Sequence, residues 1–205
     1  SSNATGTNAV ALGGGSNGGT NKTEATAKYA TAIGFNAKAS QENTVALGSS
    51  ATAAALNSIA MGKSASITAL ATGTLGGQDS IAIGNNSSSK QHSSISVGLG
   101  ASSDGVRSVA IGPKASATDE DTIAIGTGGV GADKNNQAVG NNGGSVIQAL
   151  NGISGVQLYY GVKSTGKQSI AMGYIANAKD SGIAIGNYAI SDSGGGIAMG
   201  KSVRS

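Results

Sequence analysis

Residues able to carry chemistry are sparse in this 205-residue chain. The single histidine, His92, lies in the polar run Gln91-His92-Ser93. It could serve as a general base, but its setting reads more plainly as a loop. Asp119-Glu120-Asp121 could contact one cation and reads more plainly as a solvated turn before a strand. Gly128-Gly129-Val130-Gly131-Ala132-Asp133 has the look of a calcium-binding nonapeptide. Such motifs bind by stacking several copies, and one is present, so a loop is the better reading. Gly13-Gly14-Gly15 has neither a following Lys-Ser/Thr pair nor a helical pattern, which argues against a phosphate loop. With no cysteine there is no disulfide framework or Cys-based zinc site. One histidine cannot build a multi-histidine metal centre. The expectation is no catalysis, no cofactor and no metal.

Composition narrows the class further. Glycine supplies 35 residues, while there is one phenylalanine, five tyrosines, no tryptophan and one proline. Apolar runs reach only about four residues, far short of the ~20 a membrane helix needs. No signal peptide is visible at Ser1, so a mature chain or an excised piece is expected. The net charge is +3. The basic residues are dispersed and lack interleaved aromatics, which disfavours nucleic acid as a partner.

The hydrophobic residues fall into a recurrent word: Ser/Thr, Val/Ile, Ala, Ile/Leu/Met, Gly. It reads Ser58-Ile59-Ala60-Met61-Gly62, Ser80-Ile81-Ala82-Ile83-Gly84, Ser108-Val109-Ala110-Ile111-Gly112 and Thr122-Ile123-Ala124-Ile125-Gly126. Twelve copies close on Gly13, Gly34, Gly48, Gly62, Gly84, Gly98, Gly112, Gly126, Gly140, Gly173, Gly186 and Gly200. Seven of the eleven spacings are 14 and one is 13. Gly140 is the weakest copy and rests mainly on its spacing. This period suits neither helical repeats nor propeller blades, and frequent glycine opposes helix. Fourteen residues hold two short strands and two turns, one coil of a narrow β-solenoid.

Local patterning agrees. After each glycine a weaker strand alternates, as in Ala115-Ser116-Ala117 and Ala176-Asn177-Ala178. The first strand is apolar on both faces, with Ala110 opposite Val109 and Ile111, and such a strand is covered on both faces. One cover is its own coil. The other must come from self-association, for which a closed ring of identical rolls is economical. The expected arrangement puts large aliphatics inside each roll and the alanine column towards neighbouring subunits. The expected core is Val45, Leu47, Ile59, Met61, Ile81, Ile83, Val109, Ile111, Ile123, Ile125, Ile170, Met172, Ile183 and Ile185.

The Ser-Val-Ala-Ile-Gly word at 14-residue spacing resembles the head repeats of YadA-like trimeric autotransporter adhesins, over roughly residues 8 to 203 outside the inserts. The resemblance implies an all-β, left-handed parallel β-roll (solenoid) of about 14-residue coils, homotrimeric, as a single head domain over 1–205. It implies an extracellular passenger on the outer membrane of a Gram-negative bacterium, with membrane attachment only through a C-terminal anchor absent from this sequence. It also implies attachment to host cell surfaces or to matrix proteins such as collagen, fibronectin or laminin.

Three inserts interrupt the repeat, at about 14–27, 67–78 and 141–167. Such inserts tend to lie in loops on a binding face. The third holds Tyr159 and Tyr160, followed by Lys163 and Lys167. An exposed Tyr/Lys patch suits an interface, so these four residues form the candidate ligand-contact set. The competing reading is a flap whose apolar residues pack on the roll.

Other functions are set against this one. A spacer would merely hold another binding region away from the membrane. An ice-binding solenoid would use the Ser/Thr column four residues before the glycines. An acyltransferase would use His92 as base, but those solenoids are built from hexapeptides. Ile111→Asp is expected to disrupt a dry interior or interface, whereas Lys114→Asp should barely alter stability. Thermal unfolding of the two variants checks this, and equal stability would count against a roll.

Overall fold

The computed structural model describes residues 1–14, 21–68, 76–127 and 162–205. Among these residues, 22 strands of two or three residues alternate between two parallel sheets of eleven strands each. There are no helices among them. One sheet, here the aliphatic sheet, contains the repeat word, from Val10–Leu12 to Ile197–Met199. The second contains the shorter strands, from Ser2–Ala4 to Ile190–Ser191. Consecutive coils pair in register, as Val109 with Ile123 and Ala110 with Ala124. The fold is therefore a β-roll, and a coil is named below by its closing glycine.

The turns explain the repeat word. Among the described residues, each closing glycine from Gly34 to Gly186 has φ between 118° and 141°. A Cβ built on Gly34 would lie 2.6 Å from the Gly48 carbonyl oxygen, and one on Gly48 would lie 2.5 Å from that of Gly62. Side chains are excluded there by conformation and by the next coil together. Two more residues per coil commonly adopt the left-handed conformation. One follows the glycine by two, such as Asn36, Ser50 and Lys114; the other precedes the buried Ser/Thr, such as Asn43, Asn57 and Arg107. Asn and Asp tolerate this region best among residues with side chains. The Ser/Thr hydroxyl then closes the second turn. Ser58 Oγ donates to the Ala55 carbonyl at 2.6 Å, Ser108 Oγ to Gly105 at 2.7 Å and Thr122 Oγ1 to Asp119 at 2.8 Å.

The interior is filled by small residues. Ala46, Ala60, Ala82, Ala110 and Ala124 of the aliphatic sheet are fully buried, as are Ala39, Ala53 and Ala117 of the second sheet. This reverses the expected facing. Val45, Leu47, Ile59, Met61, Ile81, Ile83, Val109, Ile111, Ile123, Ile125, Ile170, Met172, Ile183 and Ile185 lie on the outside of the roll, partly exposed. The physical reason is width. Two sheets joined by turns this tight approach too closely for anything much larger than Ala, Ser or Thr. In coils Gly84 to Gly112 even alanine often gives way to serine. Ser89 and Ser96 hydroxyls lie 2.9 Å apart, and those of Ser103 and Ser108 2.6 Å apart.

Larger interior side chains occur beside the places where the 14-residue period is broken. Ile67, Val162 and Thr23 are the largest fully buried ones among the described residues, with Thr44 and Thr122. Ile67 fits because its neighbour across the coil is Gly77, where a Cβ would come within 2.5 Å of its Cγ2. The ladder also runs further into the three inserts than their expected bounds. Thr23–Ala25, Ser66–Ile67 and Lys163–Thr165 are regular strands of the second sheet. Gly140 lies outside the described residues, and the Gly126 and Gly173 coils flanking it pair directly, Ile123 with Ile170.

Ala110→Leu should overpack this interior and destabilise the roll by about 1–3 kcal/mol or more. Lys114→Asp, on the exposed turn, should stay within about 0.5 kcal/mol of the parent. Urea unfolding followed by circular dichroism distinguishes them, and a tolerated Ala110→Leu would contradict the narrow interior.

Candidate association and adhesion surfaces

Bulk excluded from the interior is displayed outside. In-register pairing stacks the Val/Ile positions into one column and the Ile/Leu/Met positions into a second, across all eleven strands of the aliphatic sheet. Leu47, Met61, Ile111 and Met172 of the second column are 36–38% exposed. Ten steps of ~4.8 Å make this face ~48 Å long. Contiguous apolar surface on that scale marks an interaction site.

The two edges of the face differ. At the glycine corner, Phe35 and Leu99 follow their glycines directly and are exposed. Tyr174 and Tyr188, from adjacent coils, pack edge to face with centroids 5.7 Å apart. Burial, and then the neighbouring Tyr174, push the Tyr188 phenol above its ordinary pKa. This cluster escaped the sequence reading, though its signal was present in the recurrence of aromatic or aliphatic residues one or two places after a closing glycine.

The opposite corner, before each aliphatic strand, is charged and stitched between coils. Asn43 Nδ2 donates to Asn57 Oδ1 at 3.0 Å, and Asn57 Nδ2 to Asp79 Oδ1 at 2.9 Å. Arg107 donates to Asp121 Oδ1 and Glu120 Oε1, each at 2.6 Å, and Lys167 pairs with Glu120 at 3.1 Å. The bond from Lys167, then that from Arg107, holds the Glu120 carboxyl below its usual pKa. The Arg107 hydrogen bond does the same for Asp121. Arg107 in turn holds its proton more firmly, chiefly through Asp121 and then Glu120.

The candidate residues fall in different places. Tyr159, Tyr160 and the Gly128–Asp133 motif lie outside the described residues. Lys163 stands exposed on the second sheet, next in register to Asn177, whose buried Oδ1 has no hydrogen-bond partner among the described residues. Lys167 belongs to the charged corner. Asp119, Glu120 and Asp121 form a turn, and the Asp119 carboxylate accepts the Gly166 N–H at 2.7 Å. His92 lies on the same corner, with Nδ1 2.5 Å from Ser93 Oγ and Nε2 4.0 Å from Asp79. Among the described residues no group of His, Cys, Asp and Glu is arranged to hold a metal. The Ser/Thr column proposed to meet ice is fully buried at Thr44, Ser58, Ser80, Ser94, Ser108, Thr122 and Ser169. Its hydroxyls are spent on carbonyls within the roll, so it cannot face ice.

Because the Glu120 and Asp121 pKa values are lowered by folding, their contribution to stability is complete above the ordinary carboxylate range. It is lost as pH falls through their folded values. Glu120→Gln/Asp121→Asn should lower the melting temperature by a few degrees at pH 7 and low salt. The difference should vanish in strong acid and shrink in molar salt. Melting curves across pH check this, and a gap that persists in acid would rule the charges out as its source.

A family model described as "YadA head domain repeat (2 copies)" matches residues 1–16, 25–51, 39–65, 76–101, 103–128 and 164–189. Together these cover about two thirds of the chain. No curated protein matches it. The matched segments coincide with the glycine-closed coils, so word, period, fold and family agree. The chain belongs to the YadA head-repeat family, which forms the heads of surface-exposed trimeric autotransporter adhesins of Gram-negative outer membranes.

Proposed function

We propose that residues 1–205 form a single head domain that assembles as a homotrimer and attaches a bacterium to host extracellular matrix or host cells without catalysis. The uncovered aliphatic face supports this most directly. It runs the length of the described roll, both columns are apolar apart from Thr31, and the chain belongs to a family of trimeric adhesins. Three rolls with this face turned inwards would cover it and close the assembly.

Adhesion would then use what remains outside, chiefly the second sheet and the inserts. Collagen, fibronectin and laminin are the expected ligand class. Three identical surfaces on one rigid rod convert weak contacts into avidity. Lys163 and Lys167, with Tyr159 and Tyr160, are the proposed contacts. The exposed Lys163 and Lys167 ammoniums offer cationic contacts to a polypeptide ligand.

The test has two parts. Native mass spectrometry of the purified chain should give three times the 19.6 kDa chain mass. The assembled chain should bind one of the three immobilised matrix proteins saturably, and Lys163→Glu/Lys167→Glu should weaken that binding. A monomer would refute the assembly. A trimer that binds none of them would favour a spacer holding another region away from the cell.

A further inference from the structure

A ring of rolls poses a geometric problem that the aliphatic face does not solve by itself. Two columns of side chains along ~48 Å of roll offer about 500 Å². A standard stable contact buries about 800 Å² per partner, and each copy of a three-membered ring makes two contacts. More surface must take part.

The symmetry says which. Cyclic contacts are heterologous, joining one patch of each copy to a different patch of the next. Strands of the aliphatic sheet all run from the charged corner to the glycine corner. If three rolls stand parallel to the ring axis with these sheets inward, the glycine corner of each copy meets the charged corner of the next. The corners are complementary. Among the described residues the glycine corner carries Lys63, Lys114 and Lys201 and no carboxylate. Among the described residues the opposite corner carries eight carboxylates, among them Asp79, Glu120 and Asp121, against the four cations Lys28, Lys90, Arg107 and Lys167. The glycine corner also carries the exposed apolar side chains Phe35, Leu99, Tyr174 and Tyr188, 40–52% exposed apart from Tyr174 at 37%.

We infer that the glycine corner is a docking edge for the charged corner of a second copy of this chain. This rests on the trimer reading above. In such a ring Lys63 of one copy lies within about half a coil of the height of Asp79 in the next, and Lys114 within about half a coil of Glu120 and Asp121, while Phe35, Leu99, Tyr174 and Tyr188 extend the apolar contact around the edge. The second sheet with Lys163 is left to solvent and ligand, and of the proposed ligand contacts only Lys167, on the charged corner, borders this docking edge.

The experiment compares the parent chain with three variants by sedimentation at low and high salt, with circular dichroism confirming the roll. Lys114→Glu and Tyr174→Glu place an anion on the docking edge. Each should weaken assembly by about tenfold or more. The loss in Lys114→Glu should shrink at high salt. Thr52→Glu, on the outer face of the second sheet, should assemble like the parent. Because the chain has no cysteine, Leu99→Cys/Val106→Cys gives an independent reading. These positions occupy opposite corners, so a short thiol cross-linker should yield covalent dimers and trimers, and either single variant should yield none. Edge variants that assemble like the parent, a Thr52→Glu that weakens assembly equally, or cross-linking of Leu99→Cys alone would overturn the docking edge while leaving the trimer. A monomeric parent would remove both.

Discussion

The closeness of the two sheets governs the rest of this structure. Fully buried Ala46, Ala60, Ala82 and Ala110 show that the regular coils leave no room for side chains as large as isoleucine or leucine. A ladder this tight needs turns with φ values that ordinary residues avoid, so glycine closes every described coil and Asn, Asp or Ser occupies many of the other left-handed positions. Buried hydroxyls replace the hydrogen bonds that water would have made to the turn carbonyls. Where the period is interrupted, the coil has room for Ile67 or Val162.

The same constraint turns the usual arrangement of a soluble domain outwards. Alanine burial yields little hydrophobic free energy per residue compared with isoleucine or leucine. The chain does carry such residues, two in nearly every coil, but the narrow interior refuses them. They accumulate on one face in two continuous columns. Cohesion within a coil stack is therefore largely backbone pairing, and the larger apolar contribution is available only between copies. In the proposed trimer, folding and assembly would be coupled through that face.

Much of this could be read from the sequence, and the part that could not has a definable cause. The 14-residue period, the two-strand coil and the need for a second cover followed from Val109-Ala110-Ile111-Gly112 and its copies. Strand alternation places Ala110 opposite Ile111, but it does not say which one points inwards. That depends on coil width, a property of the turns and not of the strands. The strands inside the insert ranges were hidden for a related reason. Thr23, Ile67 and Lys163 do not spell the repeat word, yet backbone pairing needs no particular side chain, and all three lie in the ladder. The charged corner was legible only with the register in hand. Lys28 and Glu42, Asn43 and Asn57, Lys90 and Asp104, and Arg107 and Asp121 are each 14 residues apart, so a column alignment would have exposed them.

These columns also explain how long insertions are accommodated. Between the Gly126 and Gly173 coils the sequence spacing rises to 47, yet the strands pair as regularly as elsewhere. The Asp119 carboxylate reaches the Gly166 N–H, and Glu120 reaches Lys167, across this gap. The contacts that join consecutive coils elsewhere are thus made between residues distant in sequence. Nearest-neighbour stacking in a solenoid is indifferent to what the chain does between coils. A roll of this kind can keep its aliphatic face and its corners unbroken while the second sheet and the inserts vary, which separates the surfaces proposed to match another copy from those proposed to meet a ligand.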